Sequence, residues 1–173
     1  MDAEIFALLG QDGITNGAIY ALLALALVLV FAVTRIIFIP QGEFLAWGAL
    51  TMAALEAGHF PGTVWLLLGA GALTFAADLF GGAAARRQLG KSALWNLLYP
   101  AVLAGLLWVL PLQALPQVAK GLLVLGIVVP LGPMIYRVAF QPVAEAPVLV
   151  LLIVAVALHL LMVGVGLLIF GPE

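Results

Sequence analysis

The sequence contains no cysteine and very little charge. The absence of cysteine from its 173 residues excludes disulfide bridges and thiolate metal sites. Only 8% of the residues are charged and 66% are hydrophobic, whereas soluble domains carry about 25% charge. The mean hydropathy is +1.29. Because too few polar side chains remain to coat a water-facing surface, we predict an integral membrane protein.

Residues required by several common functions are also missing. The net charge of −2 and the absence of a large basic cluster argue against nucleic-acid binding. The only serine, Ser92, falls in a predicted loop, and the two histidines, His59 and His159, are too far apart in sequence to form the His pair of a zinc protease. No Gly-rich loop with Lys-Ser/Thr is present to bind ATP. We predict no catalytic residue, no metal site, no cofactor and no enzyme activity.

Six apolar segments are long enough to cross a membrane, since a spanning helix needs about 20 apolar residues. Polar residues, proline or glycine bound them at about 14–34, 39–57, 63–85, 93–110, 118–136 and 147–170. We predict an all-α transmembrane bundle of about six helices, forming one domain over residues 1–173. Pro130 and Pro133 lie within the fifth segment, where they favour a kink or a re-entrant half-helix.

The distribution of Lys and Arg predicts the orientation of the bundle. With the amino terminus outside, the outer loops hold only Lys120. The inner loops then hold five basic residues: Arg35, Arg86, Arg87, Lys91 and Arg137. Because short cytoplasmic loops are enriched in positive charge, we predict that the amino terminus lies outside.

Small residues line one side of the second segment. At 100° per residue they share a single stripe, which consists of Gly42, Ala46, Ala49, Ala53 and Ala57. Small side chains allow another helix to approach closely, so we predict that the stripe is a helix–helix contact. Glu43 lies at its edge and should point into the bundle.

Four polar residues are candidates for a translocation path or for structural hydrogen bonds: Asn16, Tyr20, Gln41 and Glu43. Asn16 and Tyr20 share a face of the first segment, where they either bond a neighbouring helix or line a pathway. Glu43 either belongs to the pathway, caps a helix start or pairs with Arg35 near the inner end of its segment.

Two further ionisable residues fall within apolar segments. Asp78 lies one to two turns before Arg86 and Arg87, so ion pairing is the simplest interpretation. His159 lies among leucines, and we interpret it as a hydrogen-bonded packing residue rather than a proton relay, because no second titratable group lies in its helix.

Two separated motifs resemble those of a known family. NGAIYAL at positions 16–22 begins a helix that ends at Thr34-Arg35, and QGEF follows at positions 41–44. Later, YRVAFQP at positions 136–142 precedes a long apolar segment that ends in Phe170-Gly171. Together these runs resemble the bacterial branched-chain amino acid ABC transporter permeases, whose members have an N-G-x-x-Y-A-L helix, an I-N-F-A-[HQ]-G-E turn and an R-x-A-[YF]-x-P-L-R loop.

The sequence departs from this family at several positions. Phe38 and Pro40 stand where the family has Asn and Ala, and Val143 and Ala144 follow the second motif, whose last Arg is absent. The resemblance covers residues 13–58 and 134–171, and residues 63–133 align with nothing in the family.

The resemblance implies a membrane-spanning subunit of an importer for branched-chain or related amino acids in the bacterial inner membrane. Its implied partners are a second permease subunit, cytoplasmic ATP-binding subunits and a periplasmic substrate-binding protein. Family members continue beyond the point that Glu173 matches, so we expect this chain to be the amino-terminal part of a longer permease, inactive alone. The alternative is a non-transporting membrane scaffold or assembly subunit.

The predicted topology can be tested by cysteine labelling, for which the cysteine-free chain gives a clean background. Single substitutions Ala3→Cys and Gly90→Cys should react with a membrane-impermeant reagent from opposite sides of the membrane. Labelling of both from the same side would contradict the topology.

Overall fold

The computed structural model describes residues 3–80 and 89–171, and all regular structure in these residues is helical. The helices are α1 (Ala3–Thr34), α2 (Gln41–Glu56), α3 (Thr63–Phe80), α4 (Leu89–Val109), α5 (Gln117–Val143) and α6 (Val148–Phe170). All of them except α2 are long and apolar enough to cross a membrane. The prediction of an all-α bundle of about six helices is confirmed, and the chain is a multi-pass membrane protein.

The fifth helix is continuous through Pro130 and Pro133, so of the two predicted alternatives, a kink or a half-helix, the half-helix is excluded. A proline at position 130 has no N–H to donate to the carbonyl of Gly126. The hydroxyl of Tyr99, on α4, donates to that carbonyl at 2.7 Å. A neighbouring helix therefore satisfies the carbonyl that the proline leaves free, and α5 passes through the position without a break.

Two π-helical turns occur close to prolines. One covers Leu94–Leu98 of α4, just before Pro100, and the other covers Tyr136–Phe140 of α5, shortly after Pro133. Because a π turn shifts the backbone hydrogen bonds by one residue, it changes the direction in which the following side chains point. These two turns carry Asn96 and Arg137, which belong to the polar contacts described below.

Three layers of buried side chains hold α2 to α6 together. The layer nearest the α2–α3 loop joins α2, α3, α4 and α5 through Leu55, Val64, Leu107 and Ile127. The central layer consists of Trp47, Leu67, Leu131, Met134 and Met162. The third layer consists of Ile36, Phe140, Leu151 and Ala155. The apolar core thus runs the length of the bundle.

α1 stands apart from this core. It has 32 residues, none of them buried, and its apolar side chains are exposed along its whole length. It begins earlier than the predicted start near residue 14, because its helix continues through the polar residues Glu4, Gln11 and Asp12. Within the described residues, α1 is therefore joined to the bundle mainly through the chain that follows Thr34.

α2 is too short for a complete crossing. Its 16 residues extend about 24 Å, compared with about 30 Å for the hydrocarbon core of a bilayer. The residues before it, 35–40, are not helical, and Arg35 has a positive φ of 59°. Ile36 and Pro40 are buried, and Ile36 packs against Leu151 and Ala155 of α6. The predicted second segment is thus an irregular stretch followed by a short helix.

The closest approach of α3 to α4 depends on Gly71. A Cβ atom at this position would collide with the backbone carbonyl oxygen of Asn96, in the first π turn. This carbonyl lacks its usual partner because residue 100 is a proline. Glycine therefore allows the α3 backbone to lie directly against an irregular turn of α4.

We predict that Gly71→Ala destabilises the bundle by about 1–3 kcal/mol, because the backbone atoms that the added methyl meets cannot rotate away. Gly69→Ala is the matched control on the same helix, since nothing lies within 4 Å of a Cβ there. Thermal unfolding in detergent micelles measures the difference. Equal midpoints for the two variants would contradict the close α3–α4 contact.

Candidate functional site

The first turn of α2 brings a carboxylate against a histidine of α6. The Oε1 atom of Glu43 lies 2.8 Å from Nδ1 of His159, an ion-pair distance without the alignment of a hydrogen bond. The other carboxylate oxygen, Oε2, is buried and has no hydrogen-bond partner among the described residues. A buried acidic oxygen without a partner is costly and unusual in a folded protein.

This contact lies near the middle of the bundle. His159 is close to the centre of the 23-residue helix α6, whereas Glu43 is in the first turn of α2. α2 therefore begins about halfway along α6. Glu43 lies deeper than the inner end of a full crossing, where the sequence led us to expect it.

Glu43 is not paired with Arg35 in the structure. Capping of the start of α2 by the Glu43 carboxylate is also disfavoured. The residue before α2 is Pro40, which has no N–H for the Glu43 carboxylate to accept. The partner is His159, whose predicted structural role rested only on the absence of a second titratable group in its own helix. A titratable neighbour on another helix could not be found by reading each segment separately.

A cavity of about 300 Å³ adjoins Glu43 between α2 and α6. Its walls are formed mainly by apolar residues, including Trp47, Leu50, Met162 and Phe170. Gly42, Ala46 and Gly166 also line it and leave room between the two helices. The arrangement places one acidic side chain in the wall of an apolar cavity.

The small-residue stripe makes no close helix contact among the described residues, so the predicted contact stays a prediction for a helix outside them. Ala46, Ala49 and Ala53 are exposed, and no side chain lies within 4 Å of a Cβ built at Gly42. The buried face of α2 carries its larger residues, Trp47, Thr51 and Leu55. These lie one turn apart on the side opposite the stripe, where they bury more apolar area against the bundle.

Thr51 fixes this rotation of α2. Its hydroxyl oxygen lies 2.7 Å from that of Thr63 on α3, and both residues are fully buried. Thr51 also donates to the carbonyl of Trp47 at 2.5 Å within its own helix. A hydroxyl pair buried among apolar side chains holds the two helices in register, because rotation of α2 would leave the Thr63 hydroxyl without this partner, although Thr51 would keep its bond to Trp47.

The remaining candidate residues have no role in these contacts. Asn16 and Tyr20 lie on exposed surfaces of α1, and Tyr20 is 72% exposed. Gln41 is half-buried at the start of α2, beside Glu43. Neighbouring helices of the described chain do not cover Asn16 or Tyr20, so a bond from them to another helix stays a prediction.

A second polar cluster joins α3, α4 and α5 near the end of the bundle where α3 ends and α4 begins. Asp78 is only 3% exposed, and its Oδ1 accepts from Arg137 at 2.6 Å. Ser92 donates from its hydroxyl to the other carboxylate oxygen of Asp78. Asn96 in turn donates to the hydroxyl oxygen of Ser92 at 2.9 Å. Both oxygens of a buried carboxylate are thereby satisfied.

Ion pairing of Asp78 is therefore confirmed, although its partner is Arg137. Arg86 and Arg87, the expected partners, lie outside the described residues. Ser92 was placed in a loop by its sequence, but it is buried in the first turns of α4. In the sequence, the one indication that Ser92 belongs to a helix was its spacing from Asn96, since residues four apart share a face of a helix.

The two ends of the bundle differ in charge, as the sequence predicted. Lys91 and Arg137 belong to the end where α3 meets α4 and α5 meets α6. Lys120 lies near the opposite end, where it is buried and reaches the carbonyl of Gln113 at 3.4 Å. Glu56 accepts from Gln117 at 2.6 Å nearby. The orientation of the bundle in the membrane stays a prediction.

Comparison with known proteins identifies no relative of this chain. None of the protein-family models matches the chain, and neither a curated protein nor a solved structure does. The geometry of the two polar clusters and the motifs in the sequence are therefore the grounds for a functional proposal.

We predict unequal effects of removing the two partners of the Asp78–Arg137 pair. Arg137→Gln leaves a carboxylate buried without a counter-charge, whereas Asp78→Asn leaves an arginine that is 39% exposed and can find other partners. Arg137→Gln should cost about 2–3 kcal/mol, less than for a fully buried pair because Arg137 is partly exposed. Asp78→Asn should cost less.

The double variant Asp78→Asn/Arg137→Gln completes the thermodynamic cycle. It should be more stable than Arg137→Gln alone, because the uncompensated charge has gone. Thermal unfolding of the four proteins in one detergent measures these differences. A double variant that is no more stable than Arg137→Gln would contradict the assigned ion pair.

Proposed function

We propose that this chain is a membrane-spanning permease subunit of a bacterial ABC importer for branched-chain or related amino acids. The observation that carries the proposal is the interrupted second crossing, in which the non-helical stretch 35–40, with Ile36 and Pro40 buried, leads into a helix that begins in mid-bundle. Non-helical backbone at membrane depth is tolerated only where protein or a water-filled cavity surrounds it.

Interrupted helices of this kind recur in transporters. Their termini place backbone dipoles and polar side chains near the middle of the membrane, where a solute must be handled during passage. An ionisable residue at that depth is costly and commonly marks a pathway or a proton relay. Glu43 meets this description, since it lies in the first turn of α2 beside an apolar cavity and His159.

The motifs that resemble the permease family coincide with this feature. QGEF, at positions 41–44, forms the first turn of α2, and YRVAFQP, at positions 136–142, covers the second π turn. Phe38, in the irregular stretch before α2, stands between them: its ring centroid lies 5.7 Å from that of Phe44 in QGEF and 6.0 Å from that of Phe140 in the second motif. Two motifs far apart in sequence thus meet around the interrupted crossing, which supports a shared role for them.

The exposed surfaces suit the partners that such a subunit requires. A second permease subunit would cover α1 and the small-residue stripe of α2. ATP-binding subunits would meet the end that carries Lys91 and Arg137, on the inner side of the bacterial plasma membrane. A substrate-binding protein would meet the opposite end, near Lys120.

One observation favours the alternative function. α1 is apolar, exposed along its length and separate from the core, which suits a subunit that recruits other membrane helices without transporting anything. A scaffold would use α1 and would not require the carboxylate of Glu43. The two functions therefore differ in their dependence on Glu43.

Uptake by a reconstituted complex tests the proposal. Liposomes would contain the chain together with a chain that supplies the rest of the permease, a second permease subunit, the ATPase subunits and the binding protein of one importer, and uptake of labelled leucine would be measured. Glu43→Gln should lower uptake about tenfold or more, since a charged hydrogen-bonding group is lost. Glu56→Gln is the matched control, because Glu56 lies exposed at the other end of α2 and an amide oxygen can still accept from Gln117.

The possible uptake results distinguish the permease function from the scaffold. Normal uptake by the Glu43→Gln complex would contradict the proposed pathway through α2. A fully assembled wild-type complex without ATP-dependent uptake of any branched-chain amino acid would contradict the permease function and would favour the scaffold.

A further inference from the structure

One face of α4 has the features of a lipid-binding surface. Lys91, Trp95 and Tyr99 follow each other at intervals of four residues, so they lie on the same side of the helix. Lys91 is exposed and Trp95 is 65% exposed. A cation followed by an exposed aromatic ring is the pattern found where a helix crosses the membrane–water interface.

An apolar groove continues along this face. It has a volume of about 290 Å³ and is lined by Leu94, Trp95, Leu98, Tyr99 and Val102. These residues cover about two turns of the helix, or roughly 12 Å. The groove runs from the first π turn toward the middle of α4, so its long direction follows that of an acyl chain in the bilayer.

A second cavity adjoins the same tryptophan, and Pro130, Pro133 and Met134 form the apolar part of its wall. It has a volume of about 250 Å³, and its walls include Trp95, Asn96, Thr74 and Arg137. Asp78 contacts one nitrogen of the Arg137 guanidinium, which carries five N–H donors in all. Because Arg137 is also 39% exposed, donors remain for an anion from outside the chain.

Both basic groups lie near the ends of membrane-spanning helices, where lipid headgroups are expected. Lys91 is in the first turn of α4, and Arg137 lies less than two turns before the end of α5, so each is within roughly 10 Å of its helix end. Lys91 and Arg137 contribute two positive charges and Asp78 one negative charge. The net positive charge favours an anionic headgroup over a zwitterionic one.

We propose that this surface binds one anionic phospholipid of the inner leaflet, with its phosphate near Lys91 and Arg137 and an acyl chain in the groove beside Trp95. The basic groups account for recognition of the headgroup, and the groove accounts for retention of the chain. Free phosphate lacks the acyl chain and binds far more weakly. The site is separate from Glu43, so it stands or falls independently of the proposed transport function.

Native mass spectrometry of the full chain, released from detergent micelles, tests the proposal. The probes are dioleoylphosphatidylglycerol, dioleoylphosphatidylcholine and inorganic phosphate. We expect one phosphatidylglycerol to be retained severalfold more than phosphatidylcholine. Lys91→Gln should lower that retention about fivefold, the effect of one basic residue near an anionic lipid, and Trp95→Leu should lower the retention of both lipids.

Two matched variants control for unspecific effects. Arg35→Gln removes another exposed cation, and Trp108→Leu removes an exposed tryptophan from the opposite end of α4; neither should change retention. Arg137 is left intact because it also holds Asp78. Equal retention of the two lipids, an equal loss in Lys91→Gln and Arg35→Gln, or full displacement by millimolar phosphate would each overturn the proposed site.

Discussion

The hydrocarbon interior of a bilayer cannot form hydrogen bonds, and this constraint governs the whole structure. Every polar group inside the bundle must find its partner within the protein. The prolines of α4 and α5 show the consequence, because each leaves a backbone carbonyl without its helical donor. Tyr99 donates to the carbonyl that Pro130 frees, and the carbonyl that Pro100 frees lies against Gly71. The helices are therefore joined where their own hydrogen bonding is incomplete.

The same constraint separates two kinds of polar cluster. The carboxylate of Asp78 is fully satisfied by Arg137 and Ser92, so it acts as a fixed junction of three helices. Glu43 differs, since one of its oxygens is buried without a hydrogen-bond partner in the described chain. Its contact with His159 places this incomplete site beside the interrupted second crossing. A structural role suits the first cluster, whereas the second is consistent with the proposed function, in which an ionisable group would change partners during transport.

Hydropathy predicted the number and approximate positions of the helices, because the thickness of the membrane dictates the length of each apolar run. It could not predict the rotation of α2, whose buried face was decided by the bulk of Trp47 and by the Thr51–Thr63 pair. Nor could it predict that Asp78 meets Arg137 or that Glu43 meets His159. Those contacts depend on the relative depth and tilt of separate helices, which a single segment does not encode.

The depth at which α2 begins is the central claim, and cysteine cross-linking measures it directly in a chain that has no cysteine of its own. In membranes, a short bifunctional thiol reagent should join the two cysteines of Glu43→Cys/His159→Cys, because the side chains of Glu43 and His159 meet near the middle of α6. The comparison is Glu43→Cys/Leu151→Cys, in which the second position lies in the first turn of the same helix. Selective cross-linking to position 159 supports the interrupted crossing, whereas selective cross-linking to position 151 would show that α2 begins near the membrane surface and would contradict the account.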